Sequence, residues 1–160
     1  MPADLDTLVA VASWGDRTGL HDLLRAIEPL IIRYCRGHLG RDDPMVHDVA
    51  RQICLEMVRA LPTHRNNGRP FLALLHGIAA RAVKDVQDAA AHPHPASDTN
   101  GDILGQPTLD GLPDEQREIL LLRVVAGLSA EETAAAVGAT PAAVRVIQHR
   151  ALTRLRAVGS

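Results

Sequence analysis

The sequence predicts an all-α protein, built as two small helical domains joined by a flexible linker. Three observations carry that prediction. Apolar residues recur at three- and four-residue steps through most of the chain, and no stretch keeps the two-residue alternation of a half-buried strand. Aromatic residues amount to 2%, namely Trp14, Tyr34 and Phe71, within an apolar content of 46% that alanine helps to fill. Such a composition suits close-packed helices and argues against a β-sandwich. Between residues 91 and 111 the periodicity fails, in AHPHPASDTNGDILGQPTLDG. This stretch is rich in Pro, Gly and Asp and has too little to bury to fold alone. The domains are therefore 1–90 and 112–160, two modules expected to move independently when free.

A first helix is expected over Leu5–Ser13, closed by the turn at Gly15-Asp16. A second runs from about Gly19 to Leu39, with Leu20, Leu23, Leu24, Ile27, Leu30, Ile31 and Tyr34 in phase. Pro29 within it predicts a kink or a split, because proline has no N–H to give the helical ladder. Gly40–Pro44 reads as a turn. A third helix spans about Pro44 to Ala60, with Val46, Val49, Ile53, Met57 and Ala60 on one side, and Leu61-Pro62 is expected to stop it. PTHRNNGRP, 62–70, reads as a polar loop. A fourth helix follows, from Phe71 to about Ala90.

Leu112–Arg156 reads LPDEQREILLLRVVAGLSAEETAAAVGATPAAVRVIQHRALTRLR. It is a helix, a short break and a helix-turn-helix. Ser129 stands at an N-cap and Glu132, three residues on, completes a capping box. Ala134, Ala135 and Val137 make the next helix small and packable. Gly138 ends it in a left-handed turn, and Thr140-Pro141 restarts a helix with a capping hydroxyl and a proline at the first helical position. Val144, Ile147, Ala151 and Leu155 should face the core. A last helix so placed is shaped to enter a DNA groove.

The net charge is −2, so the chain as a whole is no basic coat for nucleic acid. Its distribution says more. Residues 57–84 hold Arg59, Arg65, Arg69, Arg81 and Lys84 with no acid, and residues 140–156 hold Arg145, Arg150, Arg154 and Arg156 with no acid. Between these basic patches, 89–111 carry three Asp and no Lys or Arg. No Gly-rich phosphate loop, Gly-x-Ser-x-Gly motif or helical metal-binding His pair is present. Cys35 and Cys54 fit no zinc spacing and read as buried reduced thiols. His92 and His94 read as solvated linker residues, and Asp42-Asp43 and Asp85/Asp88 as caps and surface acids. No catalytic residue, cofactor or metal is expected. No apolar run reaches membrane-spanning length, and the acidic MPADLDTLVA is no signal peptide, so a cytoplasmic protein without membrane insertion is expected.

The order of these parts resembles an extracytoplasmic-function (group 4) sigma factor of the sigma-70 family, most closely the actinobacterial sigma D-type branch. AVASWGDRTGLHDLLRAIEPLIIRYCRGHLG resembles the start of a sigma-2 domain. Val46–Ala60 resembles its polymerase-clamp helix, and Phe71–Asp88 its promoter-opening helix. LPDEQREILLLRVVAGLSAEETAAAVG is the strongest match, to sigma-4. The resemblance implies a transcription initiation factor that binds RNA polymerase core and directs it to promoters, the chemistry remaining with the polymerase. Its implied partners are the core, through clamp and flap regions, promoter DNA and an anti-sigma factor. The residues carried over for the −35 element are Thr140, Pro141, Arg145, Gln148, His149, Arg150 and Arg154. Arg145 and Gln148 read bases, because both make bidentate contacts, while His149, Arg150 and Arg154 meet phosphates. Arg150 could instead pair with Glu131 or Glu132.

For the −10 element the residues are Arg65, Asn66, Asn67, Arg69, Phe71, Arg81 and Lys84, with Leu61–Pro70 holding a flipped base. For the polymerase they are Asp48, Arg51 and Gln52. The chain departs from the family pattern at His47, Arg51 and Gln52 of the clamp helix, at Leu74, where the family has Trp, and at Arg81, Asp88 and Ile147. Two other readings remain open: a helix-turn-helix regulator with no role in initiation, and a sigma-like protein held by an anti-sigma partner.

Overall fold

The computed structural model describes residues 5–64, 68–91 and 109–159. Most of the expected linker, with His92 and His94, lies outside the described residues, as do Arg65, Asn66 and Asn67. The described chain is helical, with no strand among these residues. Its elements are α1 (Leu5–Ser13), α2 (Arg17–Leu39), α3 (Val46–His64), α4 (Phe71–Ala91), a 3-10 turn (Leu109–Gly111), α5 (Asp114–Leu120) running on into a π-helical turn (Leu121–Val125), α6 (Ala130–Val137) and α7 (Pro141–Gly159).

The local signals act as their chemistry requires. Asp16 caps α2, its Oδ2 accepting from the Gly19 N–H at 2.6 Å. A Cβ on Gly19 would run into the Val11 side chain, so glycine is what lets α1 lie against α2. Pro29 does not split α2, which runs unbroken past it. Pro29 is exposed while Ile27, Leu30 and Ile31 on either side are buried. The carbonyl that loses its helical partner therefore faces water, which satisfies it.

Pro62 likewise fails to stop α3, a correction to the sequence reading: the helix continues to His64. Pro62 is exposed, whereas Leu61 at 2% and His64 at 8% are both buried. Burying a leucine side chain is worth about 1.5–3 kcal/mol. That is comparable with the ~3 kcal/mol penalty of an interior proline, so tertiary packing decides the last turn. In the second module, Ser129 and Glu132 form the capping box in both directions, at 3.0 and 2.8 Å. Gly138 closes α6 at φ 76°.

Helices α1 to α4 share one apolar core centred on Leu23, Ile27, Ile31, Ile53 and Met57. Helices α6 and α7 pack through Ala130, Ala134 and Val144 with Ile119 of α5. The two modules also touch one another. Leu122, Ala126, Leu128 and Ala136 belong to the core of the first four helices, α6 lies on α4, and the π-helical turn lies on α2.

Four consecutive residues, Ile119 to Leu122, are each 1–3% exposed. No single face of a regular α-helix can bury four in a row. Here they divide between cores: Ile119 serves the helix-turn-helix, Leu120 the cluster of Leu112 and Ala151, and Leu122 the first module. Leu121 meets Gly37 of α2 so closely that a Cβ on Gly37 would overlap it.

Candidate nucleic-acid interface

Helix α7 is set by its first turn. The Thr140 hydroxyl accepts from the Ala143 N–H at 3.1 Å, and Pro141 begins the helix. Val144 and Ala151 are wholly buried, with Ile147 and Leu155 half-buried beside them. That inward stripe leaves Arg145, His149, Arg150 and Arg154 exposed. His149, Arg150 and Arg154 line, with Gln116 and Thr153, a groove of about 470 Å3 between α5 and α7. A groove lined by two arginines suits a phosphate backbone.

The two base-reading candidates are held by neighbours. Arg145 Nη2 pairs with Glu131 Oε2 at 2.8 Å. The competition expected for Arg150 is thus taken up by Arg145, while Glu132 is committed to its capping box. The pKa of Glu131 is lowered, first by the backbone N–H at the start of α6 and next by Arg145. The Gln148 carbonyl accepts from Arg123 Nε at 2.8 Å, and Arg123 Nη1 also donates to the Leu128 carbonyl at 2.8 Å. Arg123, which sequence reasoning passed over, therefore orients Gln148.

On the first module, Asp48, Arg51 and Gln52 are all exposed on α3. Sequence reasoning missed two neighbours, Met45 at 43% and Leu55 at 52% exposure. Met45, Asp48, Gln52 and Leu55 form one stripe at helical spacing, opposite the buried Val46, Val49, Ile53 and Met57. The signal was available, because Leu55 is apolar yet out of phase with the buried side.

Of the −10 candidates described, Arg69, Arg81 and Lys84 are exposed, and Lys84 pairs with Asp88 at 3.2 Å. Phe71 is 6% exposed, its ring edge-on to His64 with centroids 6.0 Å apart. It supports the site from beneath and offers no open face for stacking. Leu74 is half-buried against the core.

A hollow of about 340 Å3 is lined by Val9, Ser13, Trp14, His64, Gly68 and Arg69 among others. Trp14 is 74% exposed. His64 Nδ1 is buried and has no hydrogen-bond partner among the described residues. Burial, then the Arg69 charge, lowers its pKa, keeping the ring neutral at pH 7. Trp14 was legible as an aromatic outside the buried phase of α1. His64 was not, since it read as loop.

A third cluster joins the modules. Glu118 Oε2 accepts from the Tyr34 hydroxyl at 2.7 Å and meets His76 Nε2 at 2.7 Å, while Oε1 meets His38 Nε2 at 2.8 Å. Burial alone would raise the pKa of Glu118. The bonds from His38 and His76, the His38 charge and the Tyr34 bond outweigh it and hold the carboxyl far below the usual range. Burial, then the Glu118 charge, pushes the Tyr34 phenol well up. Arg33 Nη1 adds a bond to the Ala126 carbonyl at 2.9 Å. Cys35 is buried and its thiol, pushed up to about 12 by burial and then by Cys54, stays protonated. Among the described residues no group of His, Cys, Asp and Glu is placed to hold a metal ion, and no helix is long and apolar enough to cross a membrane.

Comparison with known proteins agrees with the helical fold. The family model for sigma-70, region 4, matches residues 108–157. The ECF RNA polymerase sigma factor SigD of Mycobacterium tuberculosis is 47% identical over 174 residues, spanning 95% of this chain and 82% of that protein. The ECF RNA polymerase sigma factor ShbA of Streptomyces griseus is 40% identical over 181 residues, spanning 96% and 94%. Among solved structures, CnrH in complex with the cytosolic domain of CnrY has the same fold, with a TM-score of 0.71 at 24% identity over 98% of this chain and 97% of that one. On the extent of these similarities, the chain belongs to the ECF RNA polymerase sigma factors.

Proposed function

We propose that this initiation factor divides its work among three surfaces. The outer stripe of α3, with Asp48, Gln52 and the exposed Leu55, docks on RNA polymerase core. Helix α7 enters the major groove of the −35 element, with Arg145 and Gln148 on base edges and His149, Arg150 and Arg154 on phosphates. The hollow beside Trp14 takes an unpaired base of the −10 element. Trp14 stacks on it, the neutral His64 meets its edge, and Arg69, Arg81 and Lys84 follow the strand.

The observation that carries this reading is the outward face of α7, where Arg145, His149, Arg150 and Arg154 point away from the buried Val144 and Ala151. An amphipathic helix of that kind, opening on Thr140-Pro141, presents its N-terminal half to a groove. An anti-sigma factor fits as regulator, since CnrH is seen bound to the cytosolic domain of CnrY. The place of work is the cytoplasm, where the polymerase is.

The test is reconstitution. Purified core with this chain should protect a −35/−10 promoter from nuclease and yield promoter-specific transcripts that core alone does not. Binding to DNA without binding to core would favour a helix-turn-helix regulator instead.

A further inference from the structure

We propose that Val146 is a specificity residue of α7 and holds the C5-methyl group of a thymine in the −35 element. The proposal rests on the major-groove reading of α7 and names one mark that the helix reads there.

Val146 is 49% exposed. Between Pro141 and Ala151 it is the one large apolar side chain on the open face, since Val144 is wholly buried and Ile147 half-buried. Ala142, Arg145, Val146, His149 and Thr153 are all exposed and follow one another at three- and four-residue steps. They form a ridge on the side opposite Val144 and Ala151, flanked by the exposed Arg150 and Arg154. A recognition helix brings the N-terminal turns of such a ridge to the base edges. Ala142 and Val146, one turn apart, are then its apolar surface, with Arg145 beside them. No acid stands on α7 to oppose the approach of DNA.

The residue type fits that task. An exposed valine adds nothing to the helix itself, because alanine or a straight-chain residue would suit the position better. Its branched side chain is stiff at χ1, so it loses little freedom on meeting a small apolar mark. Of the four bases, thymine alone carries a methyl group into the major groove. Cytosine in the same place offers an amino donor, for which valine has no acceptor.

The polar route to an A·T pair is narrowed nearby. A glutamine reads adenine through its amide carbonyl and its amino group together. Arg123 Nε, a donor only, engages the Gln148 carbonyl at 2.8 Å. Gln148 is also half-buried, outside the ridge. Its N–H donors are what it keeps for a base edge. The thymine methyl is the mark of an A·T pair that remains, and Val146 is the side chain placed to meet it.

The test changes one methyl group at a time. Holoenzyme, formed from purified core and the full chain, first selects its −35 sequence from a randomised pool. Deoxyuridine then replaces each thymine of the selected element in turn, and competition binding measures each loss. With wild type, one thymine should lose about fourfold on demethylation, the worth of one buried methyl. Val146→Ala should hold that loss under about twofold, because its shorter side chain buries less of the methyl. Val158→Ala trims an exposed valine at the far end of α7 and should behave as wild type. A purely structural part for Val146 would weaken all duplexes alike and leave the ratio of thymine to uracil binding unmoved, which overturns the proposal. So does a selected element in which no thymine is sensitive to its methyl, or one without thymine. Selection of no −35 sequence at all is a different result, which removes the groove reading of α7 and the methyl contact with it.

Discussion

Arg145 and Glu131 face each other across the turn of the helix-turn-helix, 2.8 Å apart and both exposed. The acid therefore restrains the arginine proposed to read bases, and its charge opposes approaching phosphates. Glu131→Gln should tighten −35 binding and barely alter stability, since solvent screens an ion pair this exposed. Arg145→Ala should cost about 1–3 kcal/mol on the preferred site and relax base choice at one position. Arg154→Ala should weaken all sequences alike and reduce the salt slope. Fluorescence anisotropy across a salt series separates these outcomes, and identical losses and slopes for Arg145→Ala and Arg154→Ala would contradict the division between reader and anchor.

Core binding through α3 makes a paired prediction. Asp48→Arg and Leu55→Ala should each lower affinity for core while leaving the melting temperature within a few degrees, because both residues are exposed. Leu55→Ala should lose less, about 1 kcal/mol, as befits a half-exposed apolar contact. Unchanged affinity in both variants places the docking surface elsewhere.

Promoter opening should depend on Trp14. Removing its ring, 74% exposed, should spare the fold and cost about 1–3 kcal/mol in open-complex formation, the worth of one stacked base. Permanganate reactivity of unpaired thymines in the holoenzyme reports it. Leu74→Trp is not the restoring change its place in the family pattern suggests. Leu74 packs against the core, and an indole there should cost about 1–3 kcal/mol in stability. A Trp14→Ala holoenzyme that melts DNA as wild type does would dismiss the hollow as a base site.

The Glu118 cluster sets a pH dependence of defined sign. Its folded-state pKa is depressed, so its stabilising contribution is fully present at neutral pH, above the unfolded value. That contribution fades as pH falls through and below the ordinary carboxylate range. The stability gap between wild type and Glu118→Gln should accordingly be present at neutral pH and shrink as pH falls below the ordinary carboxylate range, about pH 4. Urea denaturation of both proteins across that range measures it; a gap that stays undiminished below that range would mean the carboxylate is not held in its charged form.

Local grammar was legible in the sequence, and partnership between distant segments was not. Ser129, Glu132, Gly138, Thr140 and Pro141 each act on neighbours within four residues, so their roles can be read from spacing alone. Helices α1 and α4 follow from apolar phase in the same way. Pro62 misled because its local preference was overruled by the burial of Leu61 and His64. Tyr34 and Glu118 are 84 positions apart, and no periodicity announces such a meeting. The surface sites fall between these cases. Arg145 and Arg154 stand out as charges without sequence-local acids, yet the pairing of Arg145 with Glu131 depends on the turn that brings α6 to α7.

The run Ile119–Leu122 makes the chain intolerant of a change in length at one short place. Removing one residue there would rotate everything after it by about 100°, taking three hydrophobic contacts out of register together, whereas the Pro-, Gly- and Asp-rich composition of 92–108 demands no apolar register. Across descendants of this protein, insertions and deletions should be missing from 119–122 and tolerated between 92 and 108, whatever happens to the identity of the residues.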